Sequence, residues 1–266
     1  MATGKFKQKM LTAVSAALLM LTAGAAQAAC IGSCGTDTAN GVVTNPPGFS
    51  SYDYVTTTGG PFGGGNLPGV FGSPGVSSTN GSTYTTGSFT ATAGELINFQ
   101  FNYVTSDGSG FPDYAWAGLM STDGGSNYLI FSAQTQPTGN TVPGATMPAL
   151  APGASLAPPT SPIIPGGPAW NELGTYSGAC WAAGCGYTGW IESLFSGEAA
   201  DAYTLEFGVS NSNDTAFDTG LAFAGVEVGG VPVSPVPEPA SLSLLGAGLV
   251  GLGFIRRRRK AQTSGA

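Results

Sequence analysis

ELINFQFNY, residues 95–103, alternates apolar and polar side chains without a break from Ile97 onward. Ile97, Phe99, Phe101 and Tyr103 fall on one face of an extended chain, and Asn98, Gln100 and Asn102 fall on the other. That period of two marks a half-buried β-strand. Tyr203, Leu205, Phe207 and Val209, set against Thr204, Glu206 and Gly208, repeat the pattern. Residues 82–90, 114–120, 128–133, 187–193 and 221–228 read as further strands, most of them separated by Gly, Asn, Asp or Pro. Strong helix signals are absent between them. Seven or more short strands predict an all-β fold, an antiparallel sandwich of jelly-roll type.

The rest of the chain is organised around that body. The 43 Gly and 19 Pro among 266 residues show no collagen period, so they argue for turns and short strands. Residues 137–168 hold nine Pro and no charge, and read as an extended or flexible insertion within the sandwich. Residues 29–80 are rich in Gly and Thr and are expected to be only partly ordered. We place the domain at residues 29–233, a length suited to one β-rich core.

Charge is segregated. All eight cations lie in the tails, at Lys5, Lys7, Lys9, Arg256, Arg257, Arg258, Arg259 and Lys260, and the chain has no His. The fifteen acids run from Asp37 to Glu238. A body without a basic side chain cannot form internal salt bridges, and nucleic acid is excluded as a partner because phosphate binding needs Lys or Arg.

The two ends are membrane-directed. Lys5, Lys7 and Lys9 precede an apolar run over 10–25, and Ala26-Gln27-Ala28 is a small-x-small cleavage site. Residues 1–28 therefore read as a signal peptide, its apolar run a signal helix, for export through the Sec machinery. Near the other end, Leu242 to Ile255 is LSLLGAGLVGLGFI, uncharged and studded with Gly. Residues 240–255 predict a single short transmembrane helix. Arg256 to Lys260 would then stay on the cytoplasmic side. Upstream, Pro232, Pro235, Pro237 and Pro239 force extended chain that a processing enzyme can grip.

Pro237-Glu238-Pro239, the apolar stretch and the closing Arg256-Arg257-Arg258-Arg259-Lys260 together resemble a PEP-CTERM sorting signal over residues 234–260. The resemblance implies a substrate of exosortase, a membrane Cys transpeptidase that removes such tails during surface sorting in Gram-negative bacteria that make exopolysaccharide. It implies an exported protein held transiently at the inner membrane and then placed on the cell surface or in the extracellular matrix of a biofilm. The body, through "FPDYAWAGL", "CGYTGWI" and "DTAFDTGLAFAGVEV", resembles extracellular sandwich modules that are similar in outline to carbohydrate-binding domains. That likeness implies a fold and supplies no activity.

Chemistry-bearing residues are few. Cys30, Cys34, Cys180 and Cys185 of an exported chain read as disulfides; three pairings are possible, and pairing within each local cluster is expected. Without His, Lys or Arg, neither a Ser-His-Asp triad nor an activated thiol can be built. Carboxylate-pair chemistry remains, with Asp107 and Asp113 or Asp214 and Asp218 as the pairs, against the plainer reading of turn residues, and we expect no enzyme. Asp107, Asp113, Asp123, Asp214 and Asp218 lie in oxygen-rich loops suited to Ca2+, though none follows the EF-hand spacing; the alternative is Asp serving turns. Trp181, Tyr187 and Trp190 surround the second cysteine pair and could stack on sugars, or could pack a core. The function classes that survive are a structural or adhesive role in the envelope or exopolysaccharide and, second, a carbohydrate-binding module with calcium support.

Overall fold

The structure, a computed structural model, describes residues 28–197 and 199–233. In chain order the strands are β1 Ala29–Ile31, β2 Ser33–Asp37, β3 Tyr52–Thr56, β4 Ser78–Thr85, β5 Phe89–Ala91, β6 Leu96–Thr105, β7 Tyr114–Ser121, β8 Tyr128–Gln134 and β9 Asn140–Val142. They continue as β10 Ala154–Ala157, β11 Ser161–Pro162, β12 Ile164–Pro165, β13 Gly186–Tyr187, β14 Ile191–Ser196, β15 Asp201–Ser212, β16 Thr219–Val228 and β17 Val231–Pro232. Two short 3-10 turns, Gly69–Phe71 and Asn171–Tyr176, complete the described elements. Among the described residues no helix is long and apolar enough to cross a membrane. The expected signal helix within 1–28 and the transmembrane helix expected over 240–255 lie outside the described residues.

Eight strands carry the architecture. One sheet contains the run β4-β15-β7-β8 and the other the run β14-β6-β16-β3. Among these eight the first pairs with the last (β3 with β16), the second with the seventh (β4 with β15), the third with the sixth (β6 with β14) and the fourth with the fifth (β7 with β8). All four pairs are antiparallel. A long hairpin rolled onto itself gives this nesting, which is the jelly roll that the alternating strands predict.

The inward faces form the core. Ile97, Phe99, Phe101 and Tyr103 of β6 are buried, as are Tyr203, Leu205, Phe207 and Val209 of β15. Phe207 stacks on Phe223 of the opposite sheet with centroids 3.8 Å apart and planes at 10°. The outward faces are covered too. Trp116 lies on one sheet against Leu67 and Phe71, and Trp170 lies on the other against Val43 and Tyr52. Each indole occupies space left by a glycine at mid-sheet, Gly208 under Trp116 and Gly220 under Trp170, where a Cβ would collide with the ring.

Two sequence expectations need correction. Residues 29–80 are ordered: β1 extends the first sheet beside β4, β2 extends the second beside β3, and the Cys30–Cys34 disulfide ties the corner between them. Alternation fails to reveal β3 because both its faces are covered, Val55 inward and Tyr52 and Tyr54 outward. The Pro-rich insertion is also ordered and supplies an edge strand, since β10 pairs with β14. Its prolines flank that strand, and an edge tolerates their missing N–H groups. The strand expected over 187–193 is split between β13 and β14, and the one over 82–90 between β4 and β5.

Candidate functional site

At one end of the sandwich the inward positions change from apolar to polar. Along β6 the series Phe101, Tyr103 continues as Thr105; the inward series of β15 closes with Asn211; β16 begins at Thr219; Asp113 precedes β7 and Thr135 follows β8. All five polar side chains are buried. They replace the apolar core because the strands here hand over to loops whose backbone groups need partners.

Four hydroxyls and one carboxyl close a ring. Tyr103 Oη donates to the Asp113 carbonyl (2.9 Å) and touches Thr135 Oγ1 (2.8 Å). Thr135 Oγ1 meets Thr105 Oγ1 (3.2 Å), and Thr105 Oγ1 meets Thr219 Oγ1 (2.7 Å). Thr219 Oγ1 reaches Asp113 Oδ2 (2.6 Å), while Asp113 Oδ1 accepts from the Ser212 N–H (2.8 Å). These are five oxygen–oxygen contacts around the ring, and the hydroxyls of Tyr103, Thr135, Thr105 and Thr219 bring four hydrogens. Thr135 donates to Thr105 and Tyr103 to the Asp113 carbonyl, so the Tyr103–Thr135 contact is the one that holds no hydrogen. Burial is the largest cause pushing the Asp113 carboxyl well above its usual range, with the neighbouring Asp107 next; the bonds from Thr219 and Ser212 oppose them. Burial thus favours the uncharged form of the Asp113 carboxyl.

Two more carboxyls sit beside it. Asp107 is closed off from solvent; its Oδ1 accepts from the Gly108 N–H (2.7 Å), and its Oδ2 has no partner. Burial raises its pKa to about 7. Asp218 accepts from Thr57 Oγ1 (2.9 Å) and is raised, again chiefly by burial. Asp214 lies close enough to raise Asp107, Asp113 and Asp218 through its charge. Four of the five acids expected to bind metal thus share this end. Asp123 lies at the opposite end, in the β7–β8 turn, bonded by Ser121 Oγ (3.0 Å). Among the described residues no three acidic or cysteine side chains are grouped so as to hold a metal ion.

A disulfide loop covers the polar end. Cys180 and Cys185 pair with each other, so both disulfides are the local ones. Within the loop the Trp181 N–H donates to the Ser106 carbonyl (2.9 Å), and Ala183 accepts from the Ser109 N–H (2.8 Å). Trp181 is 54% exposed. Its ring meets Phe111 edge-on at 6.1 Å and Phe217 at 5.2 Å, and Phe217 meets Tyr176 at 4.7 Å. Phe217 holds φ 54°, a left-handed backbone that bulky residues avoid.

The three aromatics expected to act together are separated. Trp190 donates its Nε1–H to the Thr44 carbonyl (2.9 Å) and packs on Tyr52. Tyr187 pairs with β6 and packs against the same outer cluster. Trp181 alone stays on the open face, where its companions are Phe111, Phe217 and Tyr176. Alternation could not reveal these three, because each sits in a loop or turn. Pro237-Glu238-Pro239 and the basic run Arg256 to Lys260 lie outside the described residues.

No curated protein and no solved structure matches the chain. A family model does match its end: residues 235–260 are a PEP-CTERM protein-sorting motif, a tail that implies an exported protein processed by exosortase.

Proposed function

We propose that the jelly roll is the mature part of a bacterial cell-surface or extracellular-matrix protein, with a structural or adhesive and non-enzymatic role in the envelope or exopolysaccharide. The sorting tail carries this reading. It follows a self-contained sandwich with two disulfides, which suit an oxidising exterior. The signal peptide is removed after Ala28, the tail holds the protein at the inner membrane with its basic run inside, and exosortase then releases the acidic body. Intact-mass measurement of protein from the producing cells tests this. The expected species begins at Ala29 and lacks the segment after the Pro-Glu-Pro triplet, and cells without exosortase retain the tail in the membrane fraction. Cytosolic protein with both termini intact would refute the proposal.

One observation favours the second reading, a carbohydrate-binding module: the exposed ring of Trp181 on a disulfide-bound surface, with Phe111 and Phe217 beside it and Tyr176 beyond Phe217.

A further inference from the structure

We propose that the aromatic strip Phe111–Trp181–Phe217–Tyr176 is the binding face for an uncharged glycan, whose sugar rings lay their C–H faces along it. This rests on the carbohydrate-binding reading and gives it a site and a ligand class. Three features of the surface select that ligand.

The first is continuity. The rings follow one another at 6.1, 5.2 and 4.7 Å, steps comparable with the width of a hexose. They come from three separate parts of the chain: the β6–β7 loop, the segment from Asn171 to Cys185, and the β15–β16 loop. An extended polymer can therefore contact several rings at once, and aromatic faces favour flat apolar contact.

The second is strain. Phe217 holds φ 54° and Asn213, in the same loop, holds φ 72°. Left-handed backbone is ordinary for Asn but strained for a bulky residue such as Phe217, where it persists because the surroundings impose it. Asn213 Nδ2 donates to the Gly110 carbonyl (3.2 Å), joining the strained loop to the loop that carries Phe111. The fold spends this strain on a half-exposed ring, outside the hydrophobic core. The disulfide and the backbone bonds of Trp181 and Ser109 fix the adjoining ring, so little order is left to be imposed on binding.

The third is charge. The rim offers Asp214, Asn213, Thr215 and Ser109, and the body contains no cation. A polyanion meets only repulsion there, with nothing to pair its carboxylates or sulfates. A neutral glycan brings hydroxyl donors for the rim oxygens and apolar ring faces for the strip.

Gel affinity electrophoresis of the exported protein, purified from producing cells, tests the site. The probes are hydroxyethyl cellulose and galactomannan as neutral polymers and alginate as the anionic one. Retardation is expected on at least one neutral polymer and not on alginate. Trp181→Ala and Phe217→Gly are each expected to weaken it by about tenfold or more. Phe217→Gly keeps binding separate from folding, because glycine accepts φ 54° without strain and the variant should melt no lower than the parent. Absence of retardation on both neutral polymers, or preference for alginate, overturns the proposal. Neutral-polymer binding that both variants retain overturns this strip while leaving the carbohydrate-binding reading standing. Concentration-dependent dimers that Trp181→Ala abolishes, without any glycan effect, would assign the strip to a second copy of the chain and also overturn it.

Discussion

Raising the pH from 5 to 7 should weaken the fold, and Asp113 sets the size of the effect. In the unfolded chain this carboxyl ionises near its ordinary value of 3.8; in the fold, burial foremost and then Asp107 push it well above that. A folded pKa above the unfolded one means that the native state holds the proton longer. The contribution is complete below about pH 4 and is lost as pH rises toward the folded value. Each pH unit that falls inside that interval costs about 1.4 kcal/mol for one group, which makes roughly 3 kcal/mol the ceiling for two units. For a domain of this size each kcal/mol is worth roughly 2–4 °C, so the fall in Tm from Asp113 is at most about 6–12 °C. Asp107, raised to about 7 by burial, acts with the same sign. Asp53, Glu206 and Asp218 are also raised by burial, so they steepen the slope of every variant alike. The informative quantity is thus the difference between the parent and Asp113→Asn. The groups facing Asp113 are Asp107, Asp214 and the hydroxyls of Tyr103 and Thr219; no Lys, Arg or His of the body offers a compensating charge. An Asn amide can donate to Thr219 Oγ1 where the acid proton stood and still accept from the Ser212 N–H. Thermal melts by circular dichroism should therefore show a shallower pH dependence for Asp113→Asn and equal or greater stability at pH 7. If the parent instead gains stability toward pH 7, or if the variant is less stable there with an unchanged slope, Asp113 is ionised in the fold and the reasoning fails.

Two further outcomes follow from the same packing. Neutralisation of the buried acids by protons predicts that EDTA at pH 5 leaves Tm unchanged; a fall of several degrees would instead assign the cluster to a bound metal. Gly208→Ala drives a methyl into the indole of Trp116 and should cost about 1–3 kcal/mol in a denaturant titration, whereas an exposed glycine such as Gly94, where no atom lies within 4 Å of the added carbon, is limited mainly by its own φ of 78°.

The parts of the fold that sequence reveals are those with one wet face. β6 and β15 alternate because Asn98 and Gln100, or Thr204 and Glu206, look outward while their neighbours fill the core. β3 carries no such contrast, and β10 arises in a run dominated by proline, so both escape a period-two reading. The polar end was legible only as composition. Asp107, Asp113, Asp214 and Asp218 are visible as acids in turn-rich loops, but their gathering depends on β6, β7, β15 and β16 ending at the same level. Spacing also misassigned the aromatics. Trp181, Tyr187 and Trp190 are neighbours along the chain, yet β13 and the approach to β14 carry the latter two onto the outer face of a sheet. Trp181 remains on the loop with partners from distant segments. The cysteine pairs, by contrast, were readable, since separations of 4 and 5 residues let each pair close locally.

The missing cations connect the buried acids to the surface strip. A buried carboxyl can be balanced by a base, by a metal ion or by its own proton. The body has no base, and burial pushes the Asp107, Asp113 and Asp218 carboxyls toward the protonated form. The loops that carry Phe111 and Phe217 are the loops that bury these acids: Asp107 and Asp113 bracket the first, and Asp218 lies within the second. Ionisation of the cluster places like charges under both loops with nothing to offset them, so local opening at this end becomes easier than elsewhere in the sandwich. The surface that presents the aromatic strip thus rests on loops whose buried carboxyls, Asp107, Asp113 and Asp218, favour the uncharged form.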